Sequence, residues 1–344
     1  MLTSACAVGL HVPRFVKQLM NGTAQAKPAV TYGVALADLR LPVSSAVCSD
    51  QLQVMENDAI LEKAVKETRS TLYVHVGAAY DTPSANVLAY ISTVYQRLWD
   101  DMVLHGRTSL NCIVSGDVED ACFQNRSQLY HMPNLEAVFT KAAGRDYAIN
   151  HNQDRAFLSA LKPLAIPECP LLPLDKNGCA SGGALHFFDS RDVKLPRFAC
   201  VAMGGTFDRL HNGHKKLLTL AASVCSERLI VGVMGDALLK GKANTHLIAP
   251  FAERKKAVLR FLAQVKPTQK VDLVELCDPF GPTVTDAAVE AIVVSSETLS
   301  GATRINSIRG EKAMAPLAVC ISRRSDFATL SSTFLRDKLR DRGA

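Results

Sequence analysis

Aromatic residues are scarce, 6% of 344 residues with a single tryptophan, and no run of 18 uninterrupted apolar residues occurs. A membrane-spanning helix needs about that length, and the longest candidate, 29–47, carries Asp38 and Arg40. No membrane span is expected. Cys-x-x-Cys is absent as well, and the ten cysteines, at 6, 48, 112, 122, 169, 179, 200, 225, 277 and 320, follow no regular spacing. That excludes a zinc clip or a disulfide framework and reads as free thiols of a reducing compartment, with Cys200, Cys225, Cys277 and Cys320 as small hydrophobes. The cytoplasm is the expected location. Acids are missing from the first 37 residues, which hold Arg14, Lys17 and Lys27. This is the charge bias of a mitochondrial presequence, the alternative being a frayed terminus; residues 1–30 are set apart on that ground as a flexible or targeting segment.

What the chain does have is the ordinary balance of a globular protein, 48% apolar and 21% charged residues, at a length that fits about two domains. Charge divides it. Residues 1–196 carry a net −2 and residues 197–344 a net +8, so an anionic partner, phosphate compound or nucleic acid, is expected for the second part. Between the parts, 163–196 is rich in proline, glycine, serine and asparagine and reads as a linker. Residues 31–162 alternate strand-like and helical patterns, strands at 71–76, 110–114 and 135–139 and helices at 86–105 and 154–161, an α/β domain of no readable role. His75, His105, His131, His151 and His186 are scattered and read as surface or satisfied core residues.

Residues 197–344 alternate more regularly. Strands are expected at 198–203, 228–234, 271–277, 291–294 and 317–321, with helices at 213–225, 251–265, 304–313 and 331–342. Such spacing implies parallel strands with right-handed crossovers, a Rossmann-like, doubly wound five-stranded sheet whose ligands sit at the carboxyl ends of the strands.

The first of those ends reads Gly204-Gly205-Thr206-Phe207-Asp208-Arg209-Leu210-His211-Asn212-Gly213-His214. Two glycines let backbone amides approach a ligand closely, and the helix start that follows offers unpaired N–H groups and a positive dipole end suited to phosphate. His211 and His214, three apart, share one face of the first turn. Composition alone would place His-x-Gly-His in about one chain of this length in seventy. A metal half-site is the competitor, but no nearby cluster completes a ligand set; no protein-held metal is expected. Near the other end, Ser331, Ser332 and Thr333 stand together with Arg336 one turn along, a pattern that suits either a plain N-cap or a polyphosphate clasp.

Gly-Thr-Phe-Asp with His-x-Gly-His, and Ser331-Ser-Thr-Phe-Leu-Arg336, resemble the two signatures of the nucleotidylyltransferase superfamily. Leu238-Leu-Lys-Gly-Lys242, Pro250-Phe-Ala-Glu-Arg254, Asp278-Pro-Phe-Gly-Pro282 and Val294-Ser-Ser-Glu-Thr298 extend the likeness to the eukaryotic type of phosphopantetheine adenylyltransferase, over about 198–340. Thr71-Leu-Tyr-Val-His-Val76 is similar to a strand in the N-terminal region of bifunctional CoA synthases.

The resemblance implies transfer of AMP from ATP, with Mg²⁺, to 4′-phosphopantetheine. His214 would stabilise the reacting phosphate, with His211 and Thr206 assisting, and Lys240 or Lys242 would hold the attacking phosphate. The nucleotide site would draw on Gly204, Gly205, Thr206, Phe207, His211, His214, Ser331, Ser332, Thr333 and Arg336. Bacterial relatives place an arginine at the end of the fourth strand, where this chain has Ser295-Ser296; Arg304 or Arg309 is expected to take over, with Asn306 as a further residue of the nucleotide site. Gly-x-x-x-x-Gly-Lys-Ser/Thr is found nowhere, since Gly241-Lys242 is followed by Ala243 and preceded by Asp236 at the first glycine position. A separate dephospho-CoA kinase is therefore the expected functional partner.

Rival readings are another nucleotidylyltransferase, for cytidylyl transfer or for nicotinamide mononucleotide, a nucleic-acid-binding module, and an inactive scaffold. Cytidylyltransferases usually have Arg-x-x-x-Ile-Ser-Thr where this chain has Leu330-Ser-Ser-Thr. Basic runs here lack the interleaved aromatics of nucleic-acid binders, so no nucleic acid partner is expected. The oligomeric state is not legible. Because every candidate lies in 197–344, that segment is expected to hold the chemistry by itself.

Overall fold

The computed structural model describes residues 32–42, 47–79, 82–118, 124–142, 145–150, 185–187, 195–239 and 245–322. Outside them lie the segment 1–30, the helices expected at 154–161 and 331–342, Lys240, Lys242, Ser331, Ser332, Thr333 and Arg336.

The first sheet contains β1 (Tyr32–Arg40), β2 (Thr68–Gly77), β3 (Asn111–Gly116), β4 (Ala137–Ala142) and β5 (Arg145–Asn150), in the order β3-β2-β1-β4-β5. Crossovers run through α1 (Val47–Glu67), α2 (Ser84–Leu104) and the single turn α3 (Arg126–Tyr130). All pairs are parallel except β4 with β5. β1 and β2 are apolar along most of their length because both faces are covered, which is why they show no alternation. His75, fully buried on β2, is a satisfied core residue: its Nε2 lies 3.1 Å from Asp117 Oδ1 and its Nδ1 3.4 Å from Ser115 Oγ.

The second sheet has the order β6-β11-β10-β7-β8-β9, every pair parallel, from β6 (Leu185–Phe187), β7 (Phe198–Gly205), β8 (Cys225–Met234), β9 (Lys270–Leu276), β10 (Ala291–Ser295) and β11 (Ala318–Ser322). Its helices are α4 (Asn212–Val224), α5 (Phe251–Val265) and α6 (Leu299–Glu311). The five strands read from the sequence are present, in a doubly wound arrangement. A sixth, β6, joins β11 from within the stretch read as linker; three residues are too few for a periodic pattern to show.

α5 starts behind Pro250 and buries Arg254, Val258, Phe261, Leu262 and Val265, the i, i+4, i+7, i+8, i+11 stripe of an amphipathic helix. α4 is different, buried on most of its circumference. It lies between its own sheet and α2 of the first sheet, and the pair Ala221-Ala222 keeps it slim enough to fit. One continuous apolar core therefore joins the two sheets, from Leu36, Val74 and Leu98 to Leu218, Val231 and Phe261. No helix among the described residues is long and apolar enough to cross a membrane.

Candidate active site

The carboxyl edge of the second sheet is shaped by how tightly the chain leaves β7, β8 and β9. Leu276, at the end of β9, fills a hollow left by two glycines. A Cβ on Gly232 would lie 2.8 Å from its Cδ2, and one on Gly281, whose φ is +48°, only 2.4 Å away. Gly204 is another matter. It is exposed at the end of β7, its φ is not positive, and an added Cβ would meet only Leu276 Cδ1 at 3.5 Å and Gly232 O at 3.6 Å. Nothing in the packing requires a glycine there.

After Gly205 the chain makes a strained turn. Phe207 (φ +52°) and Arg209 (φ +47°) both take the left-handed conformation, which costs on the order of 1–2 kcal/mol for each non-glycine residue. Three anchors hold them. The Phe207 ring is 1% exposed; Asp208 Oδ1 accepts from the Ala249 N–H at 3.1 Å; and Arg209 Nη2 donates to Leu247 O at 3.1 Å.

Arg254, also 1% exposed, ties the same loops together from below. Its Nη1 donates to Thr206 O and Met234 O, both at 2.8 Å, Nε donates to Ala249 O at 2.8 Å, and Nη2 to Asp236 Oδ1 at 2.7 Å. Sequence reasoning gave Arg254 no role, because three of its partners are backbone carbonyls, which leave no mark in residue type. The available signals were a basic residue on the apolar stripe of α5 and its place in the Pro250–Arg254 segment of the family likeness.

His211 is the N-cap of α4, and its Nδ1 accepts from the Gly213 N–H at 3.2 Å. That bond fixes the tautomer with Nε2 as the ring's donor. The His211 and His214 rings stack, centroids 3.9 Å apart and planes at 28°, and Phe207 lies 5.4 Å from the His214 ring. Thr206 Oγ1 donates to Met234 Sδ at 3.3 Å. Gly204, Gly205, Thr206, Phe207, His211 and His214 thus converge on one turn, where a helix N-terminus and two half-buried imidazoles face an open strand end.

Arg304, Asn306 and Arg309 are not brought to that turn. α6 leaves the carboxyl edge after β10 and runs back toward the amino edge. There Asn306 Nδ2 donates to Leu317 O at 3.0 Å and its Oδ1 accepts from Leu317 N–H at 2.8 Å. Arg309, 1% exposed, donates to Ala315 O, Thr283 O, Asp286 O and Val289 O, all ahead of the strand starts. Burial lowers its pKa. Both residues are spent on holding the ends of β10 and β11. Arg304 is exposed, 3.7 Å from Glu311.

The other face of the first turn of α4 is gripped by the first sheet. Asn212 Nδ2 donates to Tyr95 O at 3.2 Å. Lys215, 5% exposed, donates from Nζ to Asn111 Oδ1 at 2.7 Å and to Cys112 O at 3.0 Å, with Nζ 5.9 Å from the centre of the Phe261 ring. Burial pushes the Lys215 ammonium down to about 8 from 10.5. An unfolded chain then holds a proton that the folded one has lost between pH 8 and 10.5. Folding stability should rise with pH across that window, by up to about 3 kcal/mol. Denaturant titrations of wild type and Lys215→Met between pH 7 and 10 check this, the expected result being a shallower rise in the variant.

Residues 202–338 match the family described as cytidylyltransferase-like, which places the second sheet and its histidine turn among the nucleotidyltransferases. The phosphopantetheine adenylyltransferase of Saccharomyces cerevisiae is 43% identical over 140 residues, 40% of this chain and 46% of that protein. Those of Methanopyrus kandleri and Pyrobaculum aerophilum are 39% identical over 127 residues and 36% over 143, covering 80% and 91% of their own lengths and 37% and 41% of this chain. The chain belongs to the phosphopantetheine adenylyltransferase family. It matches just under half the length of its fungal relatives.

Proposed function

We propose that the chain transfers AMP from ATP to 4′-phosphopantetheine, giving dephospho-CoA and pyrophosphate. The observation that carries this reading is the stacked His211–His214 pair on the first turn of α4, beside the open backbone of Gly204 and Gly205, in a chain of this family. A phosphate oxygen of the acceptor attacks the α-phosphorus of ATP in line. The bond from that phosphorus to the bridging oxygen breaks, and pyrophosphate leaves with the electron pair. No covalent enzyme intermediate is needed, so the protein's work is positioning and charge stabilisation. His214 donates to the α-phosphate oxygens as charge builds there, with His211 and the Thr206 hydroxyl beside it. Lys240 or Lys242 holds the acceptor phosphate, and Ser331, Ser332, Thr333 and Arg336 clasp the polyphosphate.

Mg²⁺ travels with ATP in this scheme, held by phosphate oxygens; among the described residues no group of three or more His, Cys, Asp or Glu could hold a metal ion. Dephospho-CoA would in turn be the substrate of a kinase acting on its ribose hydroxyl; these 344 residues contain no P-loop sequence.

Pyrophosphate release from ATP plus 4′-phosphopantetheine, set against CTP and against nicotinamide mononucleotide, tests the proposal. Turnover confined to the first pair is expected, and turnover with either control alone would reject it. Gly204 offers a second check. Gly204→Ala should keep the thermal midpoint within a few degrees, because the new Cβ meets only ordinary contacts. It should raise the KM for ATP by ~10-fold, about 1.4 kcal/mol, by standing where the polyphosphate approaches. An unchanged KM would place the polyphosphate elsewhere.

A further inference from the structure

Asn212 and Lys215, at i and i+3 on α4, point the same way, and both are held by the first sheet and its helix. His211 and His214, one residue earlier in the same spacing, point about 100° around the axis. Gly213 and His214 are thus enclosed between two anchored positions. The anchors are firm ones. Asn111 and Cys112 begin β3, and Tyr95 is fully buried, its hydroxyl accepting from the Val114 N–H at 3.2 Å and lying 3.3 Å from Thr219 Oγ1 one turn further along α4.

A single-sheet transferase manages without this grip. The matched segment makes up 80% and 91% of the two archaeal relatives, which leaves too few residues for a second five-stranded sheet. In this chain the first sheet is an addition, docked on the one helix whose rotation decides where the histidines point.

We propose that the N-terminal sheet is the positioning element of the transfer reaction: through Tyr95, Asn111 and Cys112 it sets the rotation of α4 by gripping Asn212 and Lys215, and so aims His211 and His214. This rests on the proposed function for the reaction, though not for the geometry. Asn111 and Lys215 are positioning residues, acting through the histidines rather than on substrate. Misplacing a reacting group by about 1 Å can cost two orders of magnitude in rate, so a small rotation suffices.

The test uses the full chain carrying Asn111→Ala, Lys215→Met or Asn111→Asp. Asn111→Ala removes one acceptor, and Lys215→Met keeps the buried stem while deleting the ammonium. Both should lower kcat by ~10-fold or more with the KM for ATP and for 4′-phosphopantetheine within twofold, because substrate binding precedes the misaimed step. Asn111→Asp, which keeps an acceptor for Nζ, should restore kcat. Imidazole resonances of His211 and His214, followed by NMR in the same proteins without substrate, should move in the first two variants and return in the third. Folded variants with unchanged kcat and unmoved resonances would overturn the proposal, as would a loss expressed in KM alone. A wild type without pyrophosphate release would overturn the proposed function instead, and the resonances would then decide the positioning role by themselves.

Discussion

His214→Ala is expected to lower kcat for adenylyl transfer by ~10²–10³, with the KM for ATP within about twofold of wild type. In the proposed reaction the donor that is lost acts on charge that develops only as the α-phosphate is attacked, so ground-state binding would be spared. Packing gives no competing explanation of comparable size, because the ring is only half-buried, stacked on His211 with the Phe207 ring 5.4 Å away. His214→Gln, which keeps one donor and much of the volume, should recover part of the rate. Steady-state kinetics with both substrates varied check this, and equal kcat in wild type and His214→Ala would remove the ring from the reaction.

Replacing Arg254 is the second large effect, and it falls on stability before rate. Arg254→Met would leave Thr206 O, Met234 O and Ala249 O, all part-buried, facing a side chain without donors. Leaving an acceptor without its partner costs about 1–3 kcal/mol when buried, so three part-buried carbonyls together should cost about 3–5 kcal/mol. The Asp236 pair adds little to that sum, because its carboxylate is 63% exposed. At 2–4 °C per kcal/mol, the thermal midpoint should drop by roughly 10 °C. Affinity for ATP should fall with it, since the carbonyl of Thr206 is what ties the strained turn to β8. Arg254→Lys should rescue only partly, because one ammonium cannot span three carbonyls on separate loops. A midpoint within 2–3 °C of wild type in Arg254→Met would show that the loops are held by something else.

The parts of this molecule that could be read beforehand are those whose causes are local. α5 runs over the very residues 251–265 that its apolar stripe marks, and the five strands of the second sheet lie within a few residues of the apolar runs that specify them. The histidine turn was legible because two imidazoles at that spacing behind two glycines are chemically informative. β1 and α1 were not read. Tyr-Gly-Val-Ala-Leu-Ala-Asp-Leu-Arg lacks alternation because both faces of its strand are covered, and α1 has hardly any apolar stripe to announce it. Lys215 and Lys216 are identical as letters; that Lys215 is buried and Lys216 only partly so is decided by the partner surface. Arg309 and Asn306 looked like ligand-binding groups and serve backbone atoms, which no residue pattern encodes.

The docking of α4 onto α2 also has a consequence during synthesis. α4 is made about 110 residues after α2, which at 5–20 residues per second is on the order of 5–20 s. Through that interval the nascent chain already holds α2, with Tyr95 and Met102 turned toward a helix that does not yet exist. Most domains of this size complete their local folding far sooner, so the first sheet waits on the ribosome with one apolar face uncovered until the histidine helix arrives to close it.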